Sequence, residues 1–136
     1  MSSTPSRPLS SRPLSPHLTV YRWGPHMIVS ILHRATGAAL TLGGLAILTW
    51  WLAALSGGEA AYADFLKVAG HPAGLVVLAL LTWAFWQHLF SGLRHLTLDT
   101  GAGYELKVNR FWAVMTLVGS LFATALTWFV LLGVGR

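Results

Sequence analysis

The 136-residue sequence predicts an all-α membrane protein with three transmembrane helices. Two observations carry that prediction. Apolar residues make up 54% of the chain and charged residues 10%, against about a quarter charged in a soluble domain. The mean hydropathy is +0.61. The charges also leave three gaps: no Asp, Glu, Lys or Arg occurs in 35–58, 68–93 or 111–135. Each gap exceeds the roughly 20 apolar residues that cross a hydrocarbon core.

The chain reads as an N-terminal arm, 1–29, followed by one membrane domain, 30–135, with helices near 30–55, 72–98 and 111–134. The arm is polar and rich in Pro and Ser, and it lacks the apolar core of a secretory signal. Pro5, Pro8, Pro13 and Pro16 argue against an amphipathic targeting helix, so it reads as a mature cytoplasmic arm. A short echo, Ser6-Arg-Pro-Leu-Ser10 and Ser11-Arg-Pro-Leu-Ser15, is too brief for a structural repeat. Residues 11–29 are expected on the membrane surface or on a partner, with Tyr21 and Trp23 suited to the interface. Pro25 is expected just before the first helix or in its first turn. In that helix Gly37, Gly43 and Gly44 with Ala38 and Ala39 permit close backbone approach, and Trp50 and Trp51 mark the far end. Residues 56–70 read as a loop. The second helix begins near Pro72 and carries Trp83 and Trp86, bulky enough to wall a cofactor. The third has no ionisable residue and reads as a structural span with Gly119, Ser120 and Thr124 as a packing face.

A net charge of +5 raises the question of nucleic acid, but in a membrane protein the charge reports topology instead. Arg7, Arg12, Arg22 and Arg34 fall in residues 1–34 with no acid, while the 56–70 loop carries Glu59, Asp64 and Lys67. The positive-inside bias then places the N-terminus and the second loop in the cytoplasm. No cysteine is present, which excludes Cys-ligated iron–sulfur clusters, covalent c-type haem and thiol chemistry in this chain.

Chemistry concentrates at two places. His88, Ser91 and His95 stand at i, i+3 and i+7 and share one helical face, with Gly92 one turn past His88 leaving room for a flat macrocycle. Ionisable groups are costly in a bilayer and usually mark function. His88, two turns deeper than His95, is the better haem ligand, and His95 beside Arg94 is the better partner for a propionate. The alternative is that His88 only hydrogen-bonds another helix. At the start of the first helix, Ser30 and Arg34 are i, i+4. They can bind a quinone carbonyl, or Arg34 can instead snorkel to a lipid phosphate. His33 beside them can contact a propionate. Asp99 caps the following loop or pairs with Arg94.

Three ordered motifs carry a resemblance: Arg12-Pro-Leu-Ser-Pro-His17-Leu-Thr-Val-Tyr21, Ser30-Ile-Leu-His33-Arg34-x-Thr-Gly37 and His88-x-x-x-Gly92-Leu-Arg-His95-x-x-x-Asp99-x-Gly101. Over residues 12–110 the chain resembles the cytochrome b556 subunits of succinate dehydrogenase, one of the two membrane anchors of respiratory complex II. The arm motif is of the kind found in mitochondria and their bacterial relatives. The resemblance implies a haem b ligand at His88, and His33, Arg34 and His95 near the haem propionates. It implies Ser30 and Arg34 at a ubiquinone site. The second membrane anchor would supply the other axial histidine and a quinone-binding tyrosine, completing a haem-binding helical bundle. Electrons from succinate would arrive through a flavoprotein and an iron–sulfur protein, linking the citric acid cycle to the respiratory chain. No catalytic residue of succinate oxidation is expected in this chain. The implied home is a bacterial inner membrane, in preference to a mitochondrial one. A fumarate reductase anchor and a haem-free structural or transport subunit are the competing readings.

Overall fold

The computed structural model describes residues 22–134, and every element within them is helical. The Arg12–Tyr21 motif and most of the 1–29 arm lie outside the described residues. Helix α1 runs Pro25–Ala39, passes through a π-helical turn at Leu40–Gly44, and continues as α2, Leu45–Ser56. Together these form one apolar span, Pro25–Ser56. It starts five residues before the position read from the sequence. Pro25 occupies the first helical turn, where its missing N–H does no harm. The Gly24 carbonyl opens the hydrogen-bond ladder by accepting from the N–H of Met27 and Ile28. The π turn falls on Leu-Thr-Leu-Gly43-Gly44, the small-residue pair, and an added Cβ at Gly43 would lie 3.6 Å from Leu81 of the next span. That close approach is what small residues provide where hydrophobic force between helices is lacking.

Residues 56–70, expected as loop, fold as a short helix, α3, Glu59–Ala69. Glu59 in its first turn and Lys67 in its last complement the helix dipole. Gly58, at φ 89°, makes the corner that admits it. Phe65 is the buried anchor, 4.9 Å edge-on from Trp50. Helix α4, Pro72–Asp99, follows with Pro72 in its first turn and His71 as N-cap, its Nδ1 accepting from Ala73 N–H at 3.2 Å. Gly74 is required here: a Cβ would sit 2.3 Å from the Val68 carbonyl oxygen. Gly101 and Gly103, at φ 86° and 80°, reverse the chain into α5, Leu106–Val134.

Helix α4 is the centre of the bundle, with α1 on one side and α5 on the other. At mid-span the α4–α5 interface is built from small and neutral polar groups. Trp86 Nε1 donates to Thr127 Oγ1 at 3.0 Å, Ser120 Oγ donates to Gln87 Oε1 at 2.8 Å, and Phe90 lies over Gly119. The packing face expected for the third span at Gly119 and Ser120 is therefore present. Trp86 belongs to this interface and not to the wall of a histidine site. Only 6% of residues in the first apolar window and 11% in each of the others are buried, so most of the apolar surface faces outward. Such a surface is unusable in water and appropriate to lipid or to a neighbouring membrane protein.

Candidate functional site

The histidines of α1 and α4 meet. The imidazoles of His33 and His88 stack with centroids 4.1 Å apart and planes 8° from parallel. His95, two turns beyond His88, meets His33 at 5.0 Å and 54°. His33 thus sits between the two α4 histidines, over Gly92, where an added Cβ would touch its Nε2 at 3.7 Å. The gap that Gly92 opens on α4, read from the sequence as space for a macrocycle, faces an imidazole.

Hydrogen bonding determines the tautomer of His88. Its Nδ1 lies 3.1 Å from the His33 carbonyl oxygen and 3.4 Å from Thr36 Oγ1. The single Thr36 proton is directed to its own helix, to Leu32 O at 2.7 Å or His33 O at 3.1 Å. Toward His88 the hydroxyl therefore presents a lone pair. Both neighbours of Nδ1 are acceptors, so in the neutral ring the proton is assigned to Nδ1 and the lone pair to Nε2. A backbone carbonyl fixing one ring nitrogen while the other stays free is the arrangement that histidine ligands to metals use. The stack with His33 occupies a ring face, whereas the Nε2 lone pair lies in the ring plane, so the two are compatible.

Gly37 makes the room for this ring: an added Cβ would come within 2.9 Å of His88 Cε1. Thr36 and Gly37 belong to the second sequence motif, but nothing in the motif alone assigns them to the imidazole. Their signal is positional, three and four residues after His33 on the same side of α1. Ser91, fully buried between the two α4 histidines, has no hydrogen-bond partner for its hydroxyl among the described residues.

Ser30 and Arg34 stand apart from the stack. At about 100° per residue they are some 40° from each other around α1, on the flank of its buried face. Ser30 is half-buried and Arg34 is exposed, and neither makes a side-chain hydrogen bond among the described residues. They present two donors beside the histidine cluster to whatever packs against that flank. The expected alternative pairing of Asp99 with Arg94 is not made: Arg94 donates to Asn109 Oδ1 on α5.

The chain matches the family model of the succinate dehydrogenase/fumarate reductase transmembrane subunit over residues 8–127. It is 40% identical over 117 residues to the succinate dehydrogenase cytochrome b556 subunit of Paracoccus denitrificans, covering 86% of this chain and 89% of that one. The protein of the same description from Rickettsia conorii is 36% identical over 128 residues, 94% of this chain and 99% of the relative. The mitochondrial succinate dehydrogenase cytochrome b560 subunit of Mus musculus is 36% identical over 105 residues, 76% of this chain and 60% of the relative. With its three apolar spans and a family match that covers the first two and most of the third, the chain belongs to the succinate dehydrogenase/fumarate reductase transmembrane subunit family.

Proposed function

We propose that this chain is the haem- and quinone-binding anchor of a succinate:quinone oxidoreductase, without independent catalytic activity of its own. The observation that carries the reading is the fixed His88 imidazole: Nδ1 held by the His33 carbonyl, no partner on Nε2 among the described residues, and the ring seated against Gly37. This donor set fits haem b. His88 is the iron ligand, and His33, Arg34 and His95 supply cationic or N–H donors to the propionates. A haem held there supplies one-electron transfer between the iron–sulfur protein and the quinone. The chain's own residues do the rest. Thr36 and the His33 carbonyl orient the ligand ring. Ser30 and Arg34 donate to a ubiquinone carbonyl oxygen, the first as a neutral and the second as a charge-assisted donor. A second membrane anchor would supply the other ligand to the iron, and the flavoprotein and iron–sulfur proteins would dock on the cytoplasmic side of a bacterial inner membrane.

Reduced-minus-oxidised spectra of the purified complex test this. His88→Leu should abolish the low-spin bis-histidine haem signal, while His95→Leu should perturb it less. An unchanged spectrum in His88→Leu removes the ligand assignment. Orientation has its own check in a chain without cysteine: a Ser3→Cys variant should resist a membrane-impermeant thiol reagent applied outside sealed cells. Labelling from outside reverses the topology.

A further inference from the structure

On the side of α4 turned from the histidine stack, a cavity of about 440 Å³ opens between the end of α4 and the start of α5. Its walls include Phe90, Leu98, Val108, Trp112 and Met115. The charged group in the lining is Arg94, about 100° around the helix from its neighbour His95, with Thr97, Asn109 and Thr116 as neutral polar neighbours. One end of the Arg94 guanidinium is tied across to Asn109. Its Nε is buried and has no hydrogen-bond partner among the described residues. A buried cationic donor left unmatched is costly, and more so at membrane depth. Arg94 lies five residues inside the end of α4, about 7 Å along the axis, where a long cationic side chain reaches the headgroup layer. Lys107 and Arg110 are exposed on the first turns of α5 at the same end of the bundle, where together with Arg94 they outnumber Asp99 and Glu105.

We infer that this cavity binds one anionic phospholipid, its phosphate accepting from the Arg94 guanidinium and an acyl chain lying along the apolar wall. Charge selects the occupant: the arginine in the wall calls for an anion, and the apolar walls call for hydrocarbon. The histidine site contributes nothing to it, so the inference stands apart from haem and quinone.

The test uses the intact complex in nanodiscs of phosphatidylcholine with a graded fraction of phosphatidylglycerol, with retained lipids counted by native mass spectrometry. The wild-type complex should hold one phosphatidylglycerol per chain in preference to phosphatidylcholine. Arg94→Gln should weaken that binding about tenfold or more, the scale of one lost charge-assisted hydrogen bond, and Arg94→Lys should restore part of it. Ala102→Trp, placed at the exposed lip of the cavity, should displace the lipid by filling its space. Equal retention of phosphatidylglycerol in wild type and Arg94→Gln overturns the inference. So does phosphatidylcholine held as firmly, or a side chain of a neighbouring protein of the complex found filling the cavity. If Arg94→Gln fails to assemble, Ala102→Trp decides, and undiminished lipid there overturns the site.

Discussion

The two sides of α4 are both polar, yet they differ in kind. Toward α5, at mid-span, the groups are neutral, and Trp86 finds Thr127 while Gln87 finds Ser120, with the charged Arg94 only near the helix end, tied to Asn109. Toward α1 they are titratable imidazoles, and only one nitrogen of His88 is engaged, by the His33 carbonyl. Neutral polar pairs between membrane helices contribute modest packing energy, on average about 0.6 kcal/mol. Three imidazoles at one helix crossing contribute little as packing and cost more to place in a bilayer. The mid-span contacts with α5 are explained by packing alone, whereas the imidazoles toward α1 are what the proposed haem site rests on.

The largest break in this contrast should come from paired glycine substitutions. Gly37→Leu places side-chain atoms where His88 Cε1 now lies, since even a Cβ approaches it to 2.9 Å. The complex should lose most of its haem, measured as haem per protein. Gly119→Leu, on the other face, presses on Phe90, whose ring an added Cβ would meet at 3.4 Å. It should lower thermal stability yet leave the spectrum of the assembled complex unchanged. A normal haem content in Gly37→Leu removes the reason for calling the α1 side a ligand site.

Arg34→Leu and Ser30→Ala come next and divide the α1 side itself. A charge-assisted hydrogen bond is typically worth about 1.5–3 kcal/mol, so Arg34→Leu should slow quinone reduction by about tenfold to a hundredfold. Ser30→Ala should slow it less. Succinate-driven reduction of an artificial acceptor upstream should survive in both, with haem measured beside activity. Normal quinone reduction with haem intact moves the quinone elsewhere and leaves Arg34 as a lipid contact.

A smaller effect is expected from Thr36→Val. The hydroxyl is a second acceptor for His88 Nδ1, at 3.4 Å, behind the nearer His33 carbonyl. Loss of such an outer partner typically lowers affinity for the bound metal by about 10–100-fold, and with the carbonyl retained the lower end applies. Haem titration into the depleted complex measures it. Equal affinity in Thr36→Val assigns the orientation of His88 to the His33 carbonyl alone.

How much of this is legible in the sequence depends on whether a residue's role is local. Charge-free stretches specify spans by themselves, because the bilayer demands a fixed length of apolar chain. The shared face of His88, Ser91 and His95 follows from helical spacing, and Gly92 beside them marks an open surface. The partner across that surface does not follow, since it depends on the register between α1 and α4. That register brings His33 over Gly92 and Gly37 against His88. Trp86, Gln87 and Asn109 are opaque for the same reason: each takes part in a hydrogen bond between α4 and α5. Helix α3 escapes a sequence reading because its 11 residues combine Glu59, Asp64 and Lys67 with short apolar steps, a pattern that charge counting reads as loop. It is held by one buried Phe65 against Trp50, a tertiary contact.

The smallest expected effect lies on the α5 side and sharpens the contrast most. Ser120 is fully buried, and its hydroxyl has two acceptors at 2.8 Å, Gln87 Oε1 and Leu117 O, for one proton. Ser120→Ala leaves Gln87 Oε1 unmatched in a site with no solvent. In water-soluble proteins that would cost about 1–3 kcal/mol. Between membrane helices the measured average is nearer 0.6 kcal/mol, with a maximum of about 1.7. The lower range applies, because the proton is already shared with α5's own backbone. Gln87 Nε2 is itself unpartnered among the described residues, so Gln87→Leu removes one unmet donor together with the shared bond at Oε1 and should be close to neutral. A double-mutant cycle on the assembled complex, read by thermal denaturation, should then give a coupling below about 1.7 kcal/mol. The haem spectrum should be the same at all four corners. A haem shift in either single variant would show that the polar groups on the two sides of α4 act as one network, with Ser91's free hydroxyl as the link between Gln87 and the histidines.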